Sequence, residues 1–123
     1  MIEVLEDMPE GVTGIRVSGR VSGEEIREFK SVMDKLTNTG EIRIVEVIAS
    51  DYKGFGPGGL VEDLKLGLGT LFQHHSAFKR IAVVSDREWV AHTVHALAWM
   101  IPGEISVFGL DELEPAKKWA AGG

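Results

Sequence analysis

Two spacings of hydrophobic residues alternate along the chain and predict strands and helices in turn. Residues 2 to 7 and 12 to 21 alternate apolar and polar positions, as β-strands with one covered face do. Further strands are predicted by the apolar runs IRIVEVIA at 42 to 49, IAVVS at 81 to 85 and EISVFG at 104 to 109. The β-branched run IAVVS is typical of a central parallel strand buried on both faces.

Four helices are predicted between and after these strands. The first and third each follow an S-x-x-E capping box, formed by Ser22 with Glu25 and by Ser85 with Glu88. The second spans 60 to 72, and the last covers Asp111 to Trp119. The first three carry apolar stripes at helical spacing: Ile26, Phe29, Met33 and Leu36; Leu60, Val61, Leu64, Leu68, Leu71 and Phe72; Val90, Val94, Leu97 and Ile101. Gly40 and Pro102 are natural stops for the first and third helices.

The order of elements, β-β-α-β-α-β-α-β-α, predicts an α/β fold. An opening hairpin followed by β-α units implies a mixed β-sheet with about four helices packed on it. A length of 123 residues suits one domain, and no repeat or long linker divides it, so residues 1 to 123 are expected to form a single domain.

Composition and charge exclude several classes of function. The net charge is -6 and no run of five Lys and Arg occurs, so nucleic-acid binding is not expected. The absence of cysteine excludes disulfides and thiolate metal sites. The N-terminal stretch MIEVLEDMPEG lacks a basic region followed by an apolar one, and the longest apolar run, 96 to 101, is far too short for a membrane span. We therefore expect a cytoplasmic protein.

Three segments give the chain a family resemblance. The predicted hairpin and first helix are followed by PGGLVEDLK leading into a helix, then by FKRIAVVSDREW, and finally by ISVFGLDE. This succession resembles the SpoIIAA-like family of small bacterial domains, which are related to the STAS fold and to lipid-binding CRAL-TRIO domains. The resemblance covers nearly the whole chain and implies a STAS-like sheet with a binding or regulatory role. It implies no known reaction.

The stretch GFGPGG at 54 to 59 matches the dinucleotide fingerprint G-x-G-x-x-G literally, but its surroundings do not fit. Four residues separate the preceding strand from Gly54, whereas a dinucleotide site places its first glycine at the strand end. No Asp or Glu occurs between Asp63 and Asp86, so the ribose-binding acid expected about 20 residues on is missing. Glu62 and Asp63 would also repel an anion at the start of the helix. Asp86 itself is expected to favour the dipole of the third helix.

A turn that doubles as a contact surface explains the loop better. Proline suits the first residue of a helix, and flanking glycines allow a sharp turn after a buried strand. Loops at the carboxyl ends of strands are where ligands of open α/β sheets usually bind. An aromatic residue on the polar side of the third helix is a further candidate for an interface. The predicted contact residues are Tyr52, Phe55, Gly56, Pro57, Gly58, Gly59 and Trp99.

The resemblance also raises a phosphorylation switch as an alternative. STAS regulators in anti-sigma pathways carry a phosphorylatable Ser or Thr in this strand-to-helix loop, and this chain has none between Lys53 and Thr70. Ser50 lies at the strand end, before the loop, and Ser76 follows the second predicted helix. A phosphate needs a hydroxyl to carry it. The departure from the pattern therefore weakens the switch, and leaves these two serines as its candidates.

Metal binding and catalysis find little support. Glu88, His92 and His95 share one face of the third predicted helix and could bind zinc, with His74 or His75 as a further ligand. Histidines at this spacing more often lie on a solvated face, and no H-E-x-x-H motif is present. No nucleophile has an assignable base, so no enzyme activity and no cofactor are expected.

Taken together, the residues and the resemblance predict a non-catalytic module that binds a hydrophobic small molecule, a lipid or a protein partner. A phosphorylated STAS antagonist of an anti-sigma factor is the alternative. A homodimer is also expected, because a second copy is the commonest partner.

Overall fold

A computed structural model describes residues 1–37, 41–55, 78–97 and 103–122. Its strands and helices, in chain order, are β1 (Ile2–Leu5), β2 (Thr13–Val17), β3 (Arg20–Val21), α1 (Gly23–Thr37), β4 (Ile42–Ile48), β5 (Gly54–Phe55), β6 (Phe78–Val84), α2 (Glu88–Leu97), β7 (Glu104–Phe108), a 3-10 turn (Leu110–Glu112) and α3 (Leu113–Ala120). The second predicted helix and Pro102 lie outside the described residues. In the described part of the chain no helix is both long enough and apolar enough to span a membrane.

Five strands form one mixed sheet in the order β1-β2-β4-β6-β7. β1 pairs antiparallel with β2, and the pairs β2 with β4, β4 with β6 and β6 with β7 are parallel. The predicted hairpin followed by β-α units is therefore confirmed. Three α-helices lie in the described ranges, against about four expected for the chain. Because the four parallel strands point the same way, their carboxyl ends meet at one end of the sheet.

The sheet is buried on both faces by different helices. Val45 is completely buried and belongs to a cluster that includes Ala116 and Ala120 of α3. The preceding residue, Ile44, belongs to a separate cluster that includes Phe29 of α1. Successive residues of a strand point to opposite faces, so α1 and α3 cover opposite sides of β4. This double burial is why β4 consists of a nearly continuous apolar run.

The prediction of one strand from 12 to 21 is wrong, because the chain leaves the main sheet after Val17. Gly19 has a φ of 56°, in the left-handed region that favours glycine, and turns the chain away from β4. The next two residues form β3, which pairs in parallel with β5 as a separate two-stranded sheet. Val21 is nevertheless apolar, because it is buried in a separate cluster with Ile26 and Tyr52, and the apolar–polar alternation in the sequence therefore continues past the end of β2.

The two predicted capping boxes form only in part. At the start of α1, the Glu25 N–H donates to Ser22 Oγ at 3.2 Å, as predicted. The Glu25 carboxylate, however, lies 3.3 Å from the α-ammonium group of Met1. Before α2, Ser85 Oγ accepts from the N–H of Arg87 at 3.1 Å, one residue earlier than the predicted Glu88. Ser85 therefore closes a short serine turn that leads into α2.

Two arginines at the amino end of the sheet donate hydrogen bonds to the last carbonyl groups of α3. Arg43 Nη1 donates to the carbonyl oxygen of Ala120 at 2.9 Å, and Arg80 Nη1 donates to that of Trp119 at 2.7 Å. Arg80 also lies 5.1 Å from the centroid of the Trp119 ring, within the range of a cation–π contact. The last carbonyl groups of a helix lack partners within the helix, and these side chains supply them.

Candidate functional site

The segment that follows β4 lies at the carboxyl end of the sheet and contains the first predicted contact residue. Ser50, Asp51 and Lys53 are exposed, whereas Ala49 and Tyr52 are buried. The segment therefore contains both residues that hold it to the domain and residues that face solvent. Exposed polar side chains on a held loop are typical of contact surfaces in α/β proteins.

Tyr52 anchors this segment to the first helix. Its exposed fraction is 8%, and it packs in a cluster with Val21 of β3 and Ile26 of α1. Its N–H donates to the carbonyl oxygen of Ala49 at 3.0 Å, which forms the turn after β4. The aromatic ring is thus part of the fold, and contact between Tyr52 and a ligand stays a prediction.

The two-stranded sheet fixes the backbone of the residues that enter the glycine loop. The Lys53 N–H donates to the carbonyl oxygen of Gly19 at 2.7 Å. Beyond it, Gly54 pairs with Arg20 and Phe55 pairs with Val21. The first glycine of GFGPGG is therefore a strand residue and not the turn of a phosphate-binding loop. This placement agrees with the conclusion that the dinucleotide motif is only a literal match.

Arg87 joins the ends of β4 and β6. Its Nη2 donates to the carbonyl oxygen of Ser50 at 2.6 Å, across a separation of 37 residues in the chain. Its own N–H is held by the buried Ser85, whose N–H in turn donates to the carbonyl oxygen of Phe108 at 2.8 Å. A guanidinium group has five N–H donors in a planar fork, so this single bond leaves donors directed elsewhere. Arg87 is half-buried, and Ser50 is exposed.

The loop after β7 is closed by carboxylates. Asp86 Oδ1 accepts from the N–H of Leu110 at 2.9 Å, and Glu112 Oε1 accepts from the N–H of Gly109 at 2.8 Å. A β-carbon on Gly109 would lie 2.8 Å from Asp111 Oδ1, the end of an exposed side chain. Asp86 lies two residues before α2 and ties the end of β6 to the turn after β7, and its effect on the dipole of the helix stays a prediction.

Of the predicted contact residues, Tyr52 and Phe55 lie in the part of the chain that the structure describes. Tyr52 is buried, and the backbone of Phe55 belongs to β5. The loop residues Gly56, Pro57, Gly58 and Gly59, together with Trp99, lie outside the described residues. Their assignment as contact residues stays a prediction.

The predicted metal ligands are exposed where they are described. His92 and His95 lie on the solvent side of α2, and His74 and His75 fall outside the described ranges. Within residues 1–37, 41–55, 78–97 and 103–122, no group of three or more His, Cys, Asp or Glu side chains is arranged to hold a metal ion.

Comparison with known proteins places the chain in a family. The sequence model of the SpoIIAA-like family matches residues 12–121. The chain belongs to the SpoIIAA-like family. It is also similar to the crystal structure of an uncharacterised DUF3478 protein with a SpoIIAA-like fold from Shewanella loihica PV-4, with a TM-score of 0.72 and 22% identity over 97% of this chain and 93% of that one. At this identity the likeness concerns the fold alone. No curated protein matches the sequence.

The residue that sequence reasoning missed in this SpoIIAA-like chain is Arg87. It directly follows the strand end and Ser85, in the stretch SDR, so its position at the carboxyl end of the sheet was predictable from the strand assignment. Its target was not predictable, because a backbone carbonyl leaves no signal in the sequence. The contact between Lys53 and Gly19 was not predictable either, because it is a backbone hydrogen bond from the Lys53 N–H and does not depend on the side chain.

Proposed function

We propose that this SpoIIAA-like chain is a non-catalytic binding module whose contact surface is the segment after β4 together with Arg87. The supporting observation is that residues 49 to 55 have a backbone held by the fold and polar side chains that are exposed. Tyr52 and the pairing of β3 with β5 hold the backbone, while the side chains of Ser50, Asp51 and Lys53 face solvent. A held backbone lowers the entropic cost of binding, because little of it must be ordered on contact.

The occupant that we favour is a hydrophobic small molecule or a lipid with a polar head. The aromatic residues predicted beside the loop would contact its apolar part, and Lys53 and Arg87 offer positive charge to a carboxylate or phosphate head. A protein partner, including a second copy of the chain, is the other outcome. Light scattering of the purified protein tests for the dimer.

The experiment is a binding screen with a matched pair of variants. The purified protein is examined by native mass spectrometry for carried ligand and by thermal shift with a panel of fatty acids and lysophospholipids. We expect at least one member to raise Tm, and we expect Phe55→Ala to weaken that effect about tenfold in apparent affinity, the size of the loss of an aromatic contact at a binding surface. Val4→Ala removes an apolar side chain that is 52% exposed on β1 and serves as the control. If no panel member shifts Tm and no carried ligand is found, the ligand form of the proposal fails.

A second candidate is the phosphorylated regulator, and one observation favours it. Ser50 is exposed, and its carbonyl oxygen already binds Arg87 at 2.6 Å. A phosphate on Ser50 would find a guanidinium partner within reach, and such pairs are strong and directional. Phosphopeptide mass spectrometry of the protein isolated from its cells decides this candidate. Phosphate on Ser50 supports it, whereas full coverage of the peptide without phosphate rejects it for this residue.

A further inference from the structure

The five-stranded sheet has two edge strands, β1 and β7, and each has one pairing neighbour in the described part of the chain. An edge strand presents unpaired N–H and C=O groups, and natural proteins often protect such edges from association by charged side chains. The two edges differ in this protection. β1 and the two residues after it read IEVLED, with three carboxylates, whereas β7 reads EISVF, with one.

The pairing of β7 with β6 shows which of its backbone groups lie on the outer side. The carbonyl oxygen of Phe108 accepts from the Ser85 N–H at 2.8 Å, so the backbone groups of Phe108 face β6. Backbone groups of successive strand residues point to opposite edges, and those of Ser106 therefore also face β6. The N–H and C=O groups of Ile105 and Val107 point away from the sheet.

The side chains of β7 form an uncharged surface that the fold covers only in part. All residues from Ile105 to Phe108 are half-buried, whereas most residues of β4, in the middle of the sheet, are fully buried. The one charged residue of β7, Glu104, lies at the start of the strand and forms an ion pair with Arg80 at 3.1 Å. At the other end, the Phe108 ring lies 5.9 Å from that of the half-buried Trp119, which extends the apolar surface.

We propose that β7 pairs antiparallel with β7 of a second copy of this chain, so that the two five-stranded sheets become one continuous sheet. Such an interface is self-complementary, as two-fold symmetry requires. Gly109 limits the paired stretch, because its N–H already donates to Glu112 Oε1 at 2.8 Å. The symmetry axis then passes at Ser106, the middle residue of β7. Ile105 of each copy bonds to Val107 of the other, and the two Ser106 side chains lie opposite each other.

Charge favours β7 over β1 as the edge that meets a second copy. Each chain has a net charge of -6, so two copies repel unless they meet where carboxylates are few. Pairing through β1 brings the carboxylates of Glu3 and Glu6 of both copies together, and like charges on paired strands are destabilising. Pairing through β7 avoids this cost, because Arg80 balances the charge of Glu104. The 52% exposure of Val4 on β1 therefore does not mark the interface between copies.

This dimer is independent of the contact surface proposed above. β6 separates β7 from β4, so the segment after β4 lies outside the paired edge and is present once in each copy. The paired stretch is short, and interfaces below about 1,200 Å² usually belong to weak complexes. We therefore expect a monomer–dimer equilibrium that shifts with protein concentration.

Sedimentation equilibrium between about 10 and about 500 µM, concentrations suited to a weak complex, tests the dimer without any ligand. The average mass should rise from that of one chain towards that of two. Ser106→Lys and Ser106→Glu should each weaken association at least about tenfold, because like charges then meet at the symmetry axis. An equimolar mixture of the two variants should associate again, because opposite charges meet. Val4→Lys places a charge on the other edge of the sheet and should leave association unchanged.

Hydrogen exchange measured by NMR tests the same pairing without a substitution. The amides of Ile105 and Val107 should exchange more slowly at high than at low protein concentration, whereas the Ser106 amide, which faces β6, should keep its rate. A mass of one chain at every concentration overturns the proposal. So does a dimer that Ser106→Lys leaves intact, a mixture of folded variants that fails to associate, or a dimer that Val4→Lys dissociates, because each places the interface elsewhere.

Discussion

At the amino end of the sheet, Arg43 and Arg80 turn their guanidinium groups onto the last carbonyl groups of α3, whereas at the carboxyl end Arg87 reaches a single loop carbonyl, that of Ser50. The charged groups at the amino end stabilise the fold, since Arg80 also forms an ion pair with Glu104 at 3.1 Å and a cation–π contact with the Trp119 ring. The carboxyl end holds its backbone with Tyr52 and leaves polar side chains in solvent. Charged groups at the amino end bond to the fold, whereas those of the segment after β4 face solvent, and this difference is the basis of the proposed contact surface.

The largest effect is expected for Tyr52→Ala, because the ring anchors the carboxyl-end segment to Val21 and Ile26. Loss of a buried aromatic side chain should lower the free energy of unfolding by about 3 kcal/mol, measured by urea denaturation. Tyr52→Phe keeps the ring and should retain most of the stability. An effect of Tyr52→Ala no larger than that of Val4→Ala would mean that the ring does not hold the segment.

A smaller loss is expected for Arg80→Gln at the amino end. The change removes the bond to the Trp119 carbonyl oxygen, the pair with Glu104 and the contact with the Trp119 ring. The free energy of unfolding should fall by about 2 kcal/mol, with ligand binding unaltered. Lys118→Gln is the control: it changes an exposed cation on α3, the helix that contains Trp119, and should have almost no effect on the free energy of unfolding. Weakened ligand binding in Arg80→Gln would erase the distinction between the two ends.

Substitution of Gly19 or Gly11 by alanine should lower the free energy of unfolding by about the same amount, so the two variants form a matched pair. Both have positive φ, 56° and 80°, and a β-carbon on either would meet nothing within 4 Å. Substitution by alanine should therefore cost about 1 kcal/mol in each case, from backbone strain alone. Gly19→Ala should also speed amide exchange at Lys53, because Gly19 is its acceptor, and Gly11→Ala should not. Equal exchange in the two variants would show that the turn at Gly19 does not position the segment.

The smallest effect on stability is expected for Arg87→Ala. Its bond to Ser50 is exposed, so the free energy of unfolding should fall by less than about 1 kcal/mol. Binding of an anionic lipid identified in the screen should weaken about tenfold, since the loss includes a charged donor. Thermal shift and titration calorimetry on the same samples separate the two quantities. A large loss of stability without loss of binding would assign Arg87 to the fold.

Much of the fold was predictable because burial leaves a mark in the sequence. β4 was predicted over 42 to 49 and spans Ile42–Ile48, since a strand covered on both faces needs a continuous apolar run. The mixed character of the sheet followed from the hairpin and the β-α units. The end of β2 at Val17 was not predictable from alternation, because Val21 is buried in another cluster and continues the pattern.

The place of the candidate site was chosen from the sequence, and it stays a prediction. The loop after β4 was identified from its glycines and from the rule that ligands bind at the carboxyl ends of strands. Tyr52 was assigned as a contact residue, yet an aromatic residue after a strand gives the same pattern whether it faces solvent or packs on a helix, as Tyr52 does. Arg87 was missed because its partner is a main-chain carbonyl, whose position depends on the folded chain.

The most direct test of the account is NMR shift mapping on ¹⁵N-labelled protein titrated with the panel lipid that raises Tm most. The account predicts that amide shifts change in residues 50 to 55 and at Arg87, while the amides of Lys117 and Trp119 at the end of α3 stay unmoved. Shifts concentrated at the end of α3, with residues 50 to 55 unaffected, would contradict the claim that the carboxyl end of the sheet is the contact surface.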